Sequence, residues 1–302
     1  MQRENVNRSP LFYVGDKYKL IREIRTHFPP RIRQFVEPFV GGGSVFLNVE
    51  AGKYMLNDLD ANVIGIHKYL CTQVGHEGEF YARMFDVIDE YGLSCSYRRD
   101  DVPQELKETF KKTYFAKYNK ENFNRLKSDY NRMHRDDMLY LYILLIYGFN
   151  RMLRFNSKGD YNLPVGNVDF NGNTYNALKG YFREVETKRP EWSNMDFRSF
   201  LDTVELNGED LVYLDPPYLI TFSEYNKYWN EQTERDLLAI LDALSDRGVR
   251  FAISNVTHYK GRENKIFIEW SRKYDTHPVK SNYISYHDNT VKRFNEVLIT
   301  NY

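Results

Sequence analysis

The chain has 302 residues, 42% of them hydrophobic, which is material for a sizeable buried core, either as one large domain or as a core carrying an insertion. Its 42 Lys and Arg balance 42 Asp and Glu, and a formal net charge of zero excludes a uniformly basic protein. Contact with a polyanion must therefore come from a local patch.

In chain order, Phe35-Val36-Glu37-Pro38-Phe39-Val40 predicts a strand running into Gly41-Gly42-Gly43-Ser44 and then a helix start at Val45-Phe46-Leu47-Asn48. Glycines let the backbone approach a ligand closely, and the amides of a helix N-terminus favour a carboxylate or phosphate. The run does not match the GxGxxG dinucleotide pattern. Tyr54-Met55-Leu56-Asn57-Asp58 predicts a second strand, ending in an acid at the separation at which nucleotide-binding βαβ units place a ribose acceptor. Asp58 as N-cap of a helix over 61–70 is the alternative.

The texture changes near residue 71 and again near 175. Between them the chain reads as helical, above all over 122–133 and 137–147, until Gly148 breaks it. Residues 98 to 158 hold an excess of basic over acidic side chains interleaved with Tyr114, Phe115, Tyr118, Tyr130 and Phe149, a pattern that suits either nucleic acid or a solvated helical face. Glycine and proline then punctuate a loop or hairpin through Asn171.

Leu211-Val212-Tyr213-Leu214 is a short apolar run, the signature of a buried strand, and it delivers Asp215-Pro216-Pro217-Tyr218 at its C-terminal end. Two prolines hold a stiff extended bend and donate no N–H, so the tyrosine ring is expected to project from a fixed backbone, with an acceptor carboxylate, a carbonyl and a flat ring side by side. That set suits a planar ring with an exocyclic amino group. Asp196 and Phe197 precede a helix over 198–201, either bordering a cofactor ring or serving as an N-cap and a core residue. A helix over 231–245, a strand over 249–254 with Asn255 at its end as catalytic group or turn former, and a helix over 265–273 follow. Residues 280–286 and 294–300 predict a closing antiparallel pair around His287-Asp288-Asn289-Thr290.

Together these segments resemble the Dam-like alpha group of DNA adenine-N6 methyltransferases over roughly residues 11 to 302. Phe39-Val40-Gly41-Gly42-Gly43 corresponds to the family's cofactor loop, Asp215-Pro216-Pro217-Tyr218 to its catalytic tetrapeptide, and Tyr13-Val14-Gly15-Asp16-Lys17 to its opening segment. The resemblance implies an α/β, Rossmann-like S-adenosylmethionine-dependent methyltransferase sheet formed by 1–70 and 175–302, with 71–174 as an inserted, mostly helical target-recognition domain. S-adenosyl-L-methionine would be held by Tyr13, Lys17, Phe39, Gly41, Gly43, Asp58, Asp196, Phe197 and Asp215. The flipped adenine would stack on Tyr218, its amino protons accepted by Asp215 and the Pro216 carbonyl, with direct in-line transfer.

The stretch from Phe149 to Gly166 resembles the hairpin with which Dam-like enzymes read the major groove, which implies DNA contacts from Phe149, Asn150, Arg151, Met152, Arg154, Asn156 and Pro164. Arg154 aligns with the arginine that reads guanine, a guanidinium being able to bond O6 and N7 together, whereas Arg151 equally suits a phosphate. Leu163 and Pro164 suit either a thymine methyl or the hairpin itself. Val168 stands where Dam homologues place a second base-reading residue, and Phe12 where bacterial Dam enzymes carry a lysine. The expected target is a short palindrome, GATC before CATG.

Only Cys71 and Cys95 occur, without CxxC spacing, a His/Cys cluster or a Pro-Cys pair, so reduced thiols, no metal and no covalent cytosine-C5 chemistry are expected. With no apolar signal segment and no run near about 18 apolar residues, the expectation is a cytoplasmic protein of a bacterial or phage-infected cell. Its partner would be double-stranded DNA, with a cognate restriction endonuclease in the same system, and a monomer would suffice. The competing functions are amino-methylation of RNA or protein glutamine, an inactive DNA-binding module, and a nucleoside-binding oxidoreductase.

Overall fold

The structure, a computed structural model, describes residues 6–99, 102–221, 229–279 and 294–302. Its strands are β1 (Gln34–Glu37), β2 (Lys53–Asn57), β3 (Glu191–Ser193), β4 (Leu211–Leu214), β5 (Arg250–Tyr259), β6 (Arg262–Glu263), β7 (Asp275–Val279) and β8 (Phe294–Thr300). They form one sheet in the order β3-β2-β1-β4-β5-β8-β7, with β6 paired to β5. The first five strands are parallel, β8 runs antiparallel to β5, and β7 antiparallel to β8. This is a Rossmann-like α/β fold. The chain moves outward from β1 to β3, then returns to β4 on the other side of β1, so a topological switch point lies between β1 and β4. Crevices outside the carboxyl ends of strands at such points are where open α/β sheets bind ligands.

Side chains alternate across the sheet. Phe35, Leu211, Tyr213 and Ala252 join one apolar cluster, and Val36, Val212, Leu214, Phe251 and Ile253 join the other. The first face is covered mainly by α2 (Ala61–Thr72), α6 (Met138–Tyr147) and α7 (Gly172–Lys188), the second by α8 (Phe197–Thr203), α9 (Glu231–Asp246) and α10 (Lys265–Ser271). The remaining helices are α1 (Ile21–Arg25), α3 (Glu77–Glu90), α4 (Gln104–Phe110) and α5 (Tyr114–Met133). Every residue of α6 after its first is buried, as expected of a helix that is apolar all round. Its cluster is shared with β1, β2 and α2, so the middle of the chain is rooted in the main core. The boundaries expected at 70/71 and 174/175 fall inside α2 and α7. None of the described helices is long and apolar enough to cross a membrane.

Three local expectations are corrected. The helix start after the glycines is a single 3-10 turn, Phe46–Asn48. It stops there because Lys188, buried at the end of α7, donates from Nζ to the carbonyls of Phe46, Leu47 and Val49 at 3.0, 3.1 and 2.9 Å. Asp60, not Asp58, caps α2, its side chain accepting from the Asn62 amide. The strand over 249–254 continues to Tyr259, which places Asn255 inside β5. β8 pairs antiparallel with β5 and β7, and the segments expected before it, 280–286 and 287–290, lie outside the described residues.

Lys188→Met would remove the charged donor shared by three carbonyls beneath the glycine turn, leaving them to the Val49 amide, the Asn7 amide group and the Tyr54 hydroxyl. Thermal or urea denaturation should show a loss on the order of 3 kcal/mol, and a loss below about 0.5 kcal/mol would mean that those donors satisfy them.

Candidate active site

The carboxyl ends of β1, β2 and β4 carry Glu37, Asp58 and Asp215 to the switch point. Asp215 is fully engaged. Its Oδ2 accepts from Lys17 Nζ at 2.5 Å and its Oδ1 from the Tyr218 hydroxyl at 2.8 Å. Lys17 is buried and also lies 3.5 Å from Glu296, a buried carboxylate of β8 whose Oε1 accepts from Tyr218 at 3.1 Å. Burial alone would lower the Lys17 pKa, but Asp215, Tyr218 and Glu296 together hold it well above the ordinary lysine value, so it stays charged. Glu296 is raised, by burial against the pull of Lys17. Glu37 is raised well above its ordinary value by burial and then by Asp215. One oxygen of each glutamate, Oε2, has no hydrogen-bond partner among the described residues.

The tyrosine therefore does not project from the tetrapeptide as expected. Its hydroxyl turns back onto Asp215, because Asp215 and Glu296 converge on it from β4 and β8. Glu296 was missed in the sequence because it is the one acid in a strand read only as a closing sheet element, with nothing local to mark it.

Beside this group lies the glycine turn. Gly41 and Gly43 have φ of +47° and +78°, in the left-handed region. A Cβ on Gly43 would strike the Phe46 ring, and one on Gly42 would come within 2.8 Å of Tyr13 Cβ. Tyr13 thus packs directly on the turn. Asp58 Oδ2 accepts from the Gly41 amide at 2.8 Å and Oδ1 from the Asp60 amide at 3.0 Å, and burial pushes its pKa up to about 6. From beneath, buried His67 contacts the Gly41 carbonyl through Nε2 and the Tyr181 hydroxyl through Nδ1, both at 2.9 Å, and stacks on Trp192 at 4.4 Å between centroids. Burial lowers its pKa to about 4, so at neutral pH one ring nitrogen donates to Gly41.

Phe39 and Phe197 meet with Trp229 in an aromatic trio, the Phe39 centroid lying 5.3 Å from that of Phe197 and 5.7 Å from that of Trp229. Trp229 was not singled out in the sequence. Its Nε1 donates to buried Glu234 at 2.6 Å, and Asn255 and Asn264 donate to the other oxygen of that carboxylate. Asn255 is thereby a buried support of Glu234. Asp196 caps α8 through the Arg198 amide and pairs with the Arg198 guanidinium, while Phe197 is buried.

The expected recognition hairpin is a loop closed by two isolated antiparallel bridges, Gly148 with Val165 and Phe155 with Tyr161. Phe149 is 49% exposed, Asn150 and Pro164 are exposed and Met152 is half-buried. Leu163 is buried in the core, which settles it as part of the hairpin. Asn156 closes the loop tip by accepting from the amides of Lys158 and Asp160. Arg154 donates from Nε to Asn162 Oδ1 at 2.8 Å. Arg151 lies face-on to Phe12, its Cζ 3.7 Å from the ring centroid.

Comparison with known proteins agrees with this geometry. The sequence profile of the D12 class N6 adenine-specific DNA methyltransferase family matches residues 13–284, and the chain belongs to that family. It is 36% identical over 98% of its length to the type II methyltransferase M.FokI of Planomicrobium okeanokoites and 34% identical over 98% to the modification methylase StsI of Streptococcus sanguinis. The chain spans only 43% of each of those two relatives. It is 28% identical over 97% of its length to the DNA adenine methylase of Escherichia coli K12, of which it covers 94%.

The neutral His67 makes a pH prediction. Its folded pKa is depressed, so its contribution is complete above the unfolded value near 6.5 and is lost as pH falls towards 4, to a limit on the order of 3 kcal/mol. Asp58, raised to about 6, works in the opposite sense over part of that window. The difference in urea stability between wild type and His67→Gln, followed from pH 7 to pH 4, isolates the histidine and should shrink as pH falls. A constant difference would mean that the histidine titrates in the folded protein as it does unfolded, and a difference that grows as pH falls would place a charged histidine under the turn.

Proposed function

We propose that this D12-class chain transfers a methyl group from S-adenosylmethionine to the adenine N6 amino group of a short palindromic DNA site. The observation that carries the reading is Asp215, a carboxylate at the carboxyl end of β4, beside the switch point and next to a glycine turn with left-handed backbone. Charge supports the cofactor. Asp215 and Glu296 flank the Lys17 ammonium and Glu37 and Asp58 lie at the neighbouring strand ends; burial raises Glu37, Asp58 and Glu296, and a cationic ligand beside them would favour their ionised forms. Tyr13 and the glycines would border its methionine end, Asp58 its ribose, and Phe39 with Phe197 its base. Bound S-adenosylmethionine supplies an electrophilic methyl group on a cationic sulfur.

The chain's own residues do the rest. An adenine in a duplex hides its amino group, so the nucleotide is extruded at a cost of a few kcal/mol. Its amino group takes the place of the Tyr218 hydroxyl on Asp215 Oδ1, and the Pro216 carbonyl accepts the second proton. Both bonds draw the nitrogen lone pair out of ring conjugation. Lys17 keeps hold of Oδ2 and fixes the carboxylate plane, while the displaced Tyr218 ring offers its face to the base. Alignment of nitrogen and methyl lowers the barrier by about 7–11 kcal/mol. Residues 71–174, with the loop after Phe149, would read the DNA, at GATC before CATG, as the modification partner of a restriction endonuclease or alone. A monomer suffices because the two strands of a palindrome are methylated in separate events.

Asp215→Ala should reduce methyl transfer by about 10³-fold or more while calorimetry still detects S-adenosylmethionine; robust turnover by the variant ends the assignment. Single-molecule sequencing of plasmid from a methylation-deficient host expressing the wild type should show N6-methyladenine confined to GATC. Confinement to CATG would keep the enzyme and change its outer-base readout, and unmodified adenine throughout would sink the DNA substrate.

A further inference from the structure

Six non-glycine residues among those described have positive φ, and three of them, Phe12 at +48°, Asn150 at +54° and Arg151 at +50°, line a single cleft. Backbone strain of this kind costs on the order of 1–3 kcal/mol per residue and persists where the surroundings enforce it, commonly at ligand sites. The cleft has a volume of about 500 Å³, lies between the N-terminal segment and the loop after α6, and has no acidic side chain in its wall. Arg8 also lines it, its Cζ 4.4 Å from the Phe12 centroid.

Arg151 is the unusual member. It is half-buried, and burial lowers its pKa to about 10, yet among the described residues its guanidinium meets no acceptor, only the face of Phe12. A desolvated guanidinium lacking protein acceptors is expensive unless a ligand supplies them. Stacking holds its plane and leaves its edge, with paired N–H donors, available. The wall residues Phe12 and Val168 offer no side-chain donor. Asn167 and Asn171 are committed to backbone partners, Asn167 through the Ala116 amide and Asn171 as the cap of α7. Arg154, by contrast, is tied to Asn162 by both its Nε and one terminal nitrogen.

We propose that Arg151, stacked on Phe12 in this cleft, is a specificity-determining residue that reads the O6 and N7 acceptors of a guanine outside the methylated adenine. A guanidinium fork suits phosphate as well, but one held flat against a ring inside a cleft is fixed in a single plane, which matches the two acceptors on one base edge. The assignment rests on the proposed action on DNA.

The test is competitive methylation of duplexes that differ at one base pair each, with wild type, Arg151→Gln and Arg151→Lys, at several salt concentrations. Arg151→Lys keeps the charge and guards against misfolding but lacks the fork. Both variants should lose discrimination at a single G·C pair by about 10- to 100-fold and retain it elsewhere, and Phe12→Leu should weaken it at the same pair. A uniform loss on all duplexes, with a salt slope smaller by about one, makes Arg151 a phosphate contact and overturns the proposal. Unchanged discrimination reduces it to packing and overturns it too. If the wild type methylates no DNA, the proposed function falls first and this assignment with it; methylating wild type with unaltered variants removes this assignment alone.

Discussion

The buried pair of Lys17 and Asp215 is the interaction on which the site depends. Removing two charges from water costs several kcal/mol each, and their attraction offsets this only when geometry is good and remaining lone pairs are satisfied. Here Tyr218 fills the second oxygen of Asp215, and Glu296 balances Lys17 from β8. One cation thereby ties the N-terminal segment to strands nearly two hundred and almost three hundred residues away. The same segment lays Tyr13 against Gly41 and Gly42. Asp215 and the glycine turn are thus registered to each other by a single side chain, and breaking the pair would leave the buried Lys17 charge without compensation.

The turn itself cannot hold its own shape. Positive φ at two positions makes it conformationally permissive, and its rigidity comes from below, where His67 grips the Gly41 carbonyl and stands in a stack with Trp192 and Tyr181. Lys188 secures the next turn through three carbonyls. These supports belong to α2, β3 and α7, the elements on either side of the inserted segment. A short chain of packed rings and hydrogen bonds thus connects α7 and β3 to the glycine turn.

The parts of this arrangement visible in sequence are those encoded locally. The apolar run before Asp215 and the acid after Met55-Leu56-Asn57 announce buried strands through composition, and the glycines announce their turn through the lack of Cβ atoms. Strand order and the switch point are tertiary facts, yet they follow once both strands carry functional ends. Glu296, His67, Lys188 and Trp229 were not legible, because each acts through a partner distant in sequence and sits in a segment whose own pattern marks only core. Helix continuation after Val45 was misread for the same reason: the residues permit it, and Lys188 stops it by taking the carbonyls a helix would use. Tyr218 was placed outward because proline stiffness is local, whereas the carboxylate that draws its hydroxyl inward arrives from β8.

Charge in the middle of the chain follows the same logic. Between residues 98 and 158 the sequence counts an excess of basic side chains, but the structure spends several of them internally. Arg98 pairs with Asp89 and Arg135 with Asp160, carboxylates outside that span or at the loop tip, and Arg132 pairs with Asp129. The apparent basic patch is therefore weaker than its composition, in keeping with a chain of zero net charge. Affinity that comes from counterion release scales with the number of phosphates neutralised, and three of the arginines here already hold carboxylates. On the proposed action on DNA, that lowers the share of indiscriminate attraction and raises the share of directed contacts. The exposed Phe149 ring and the strained, acid-free cleft beside it supply shape and donors for such contacts where bulk charge is lacking.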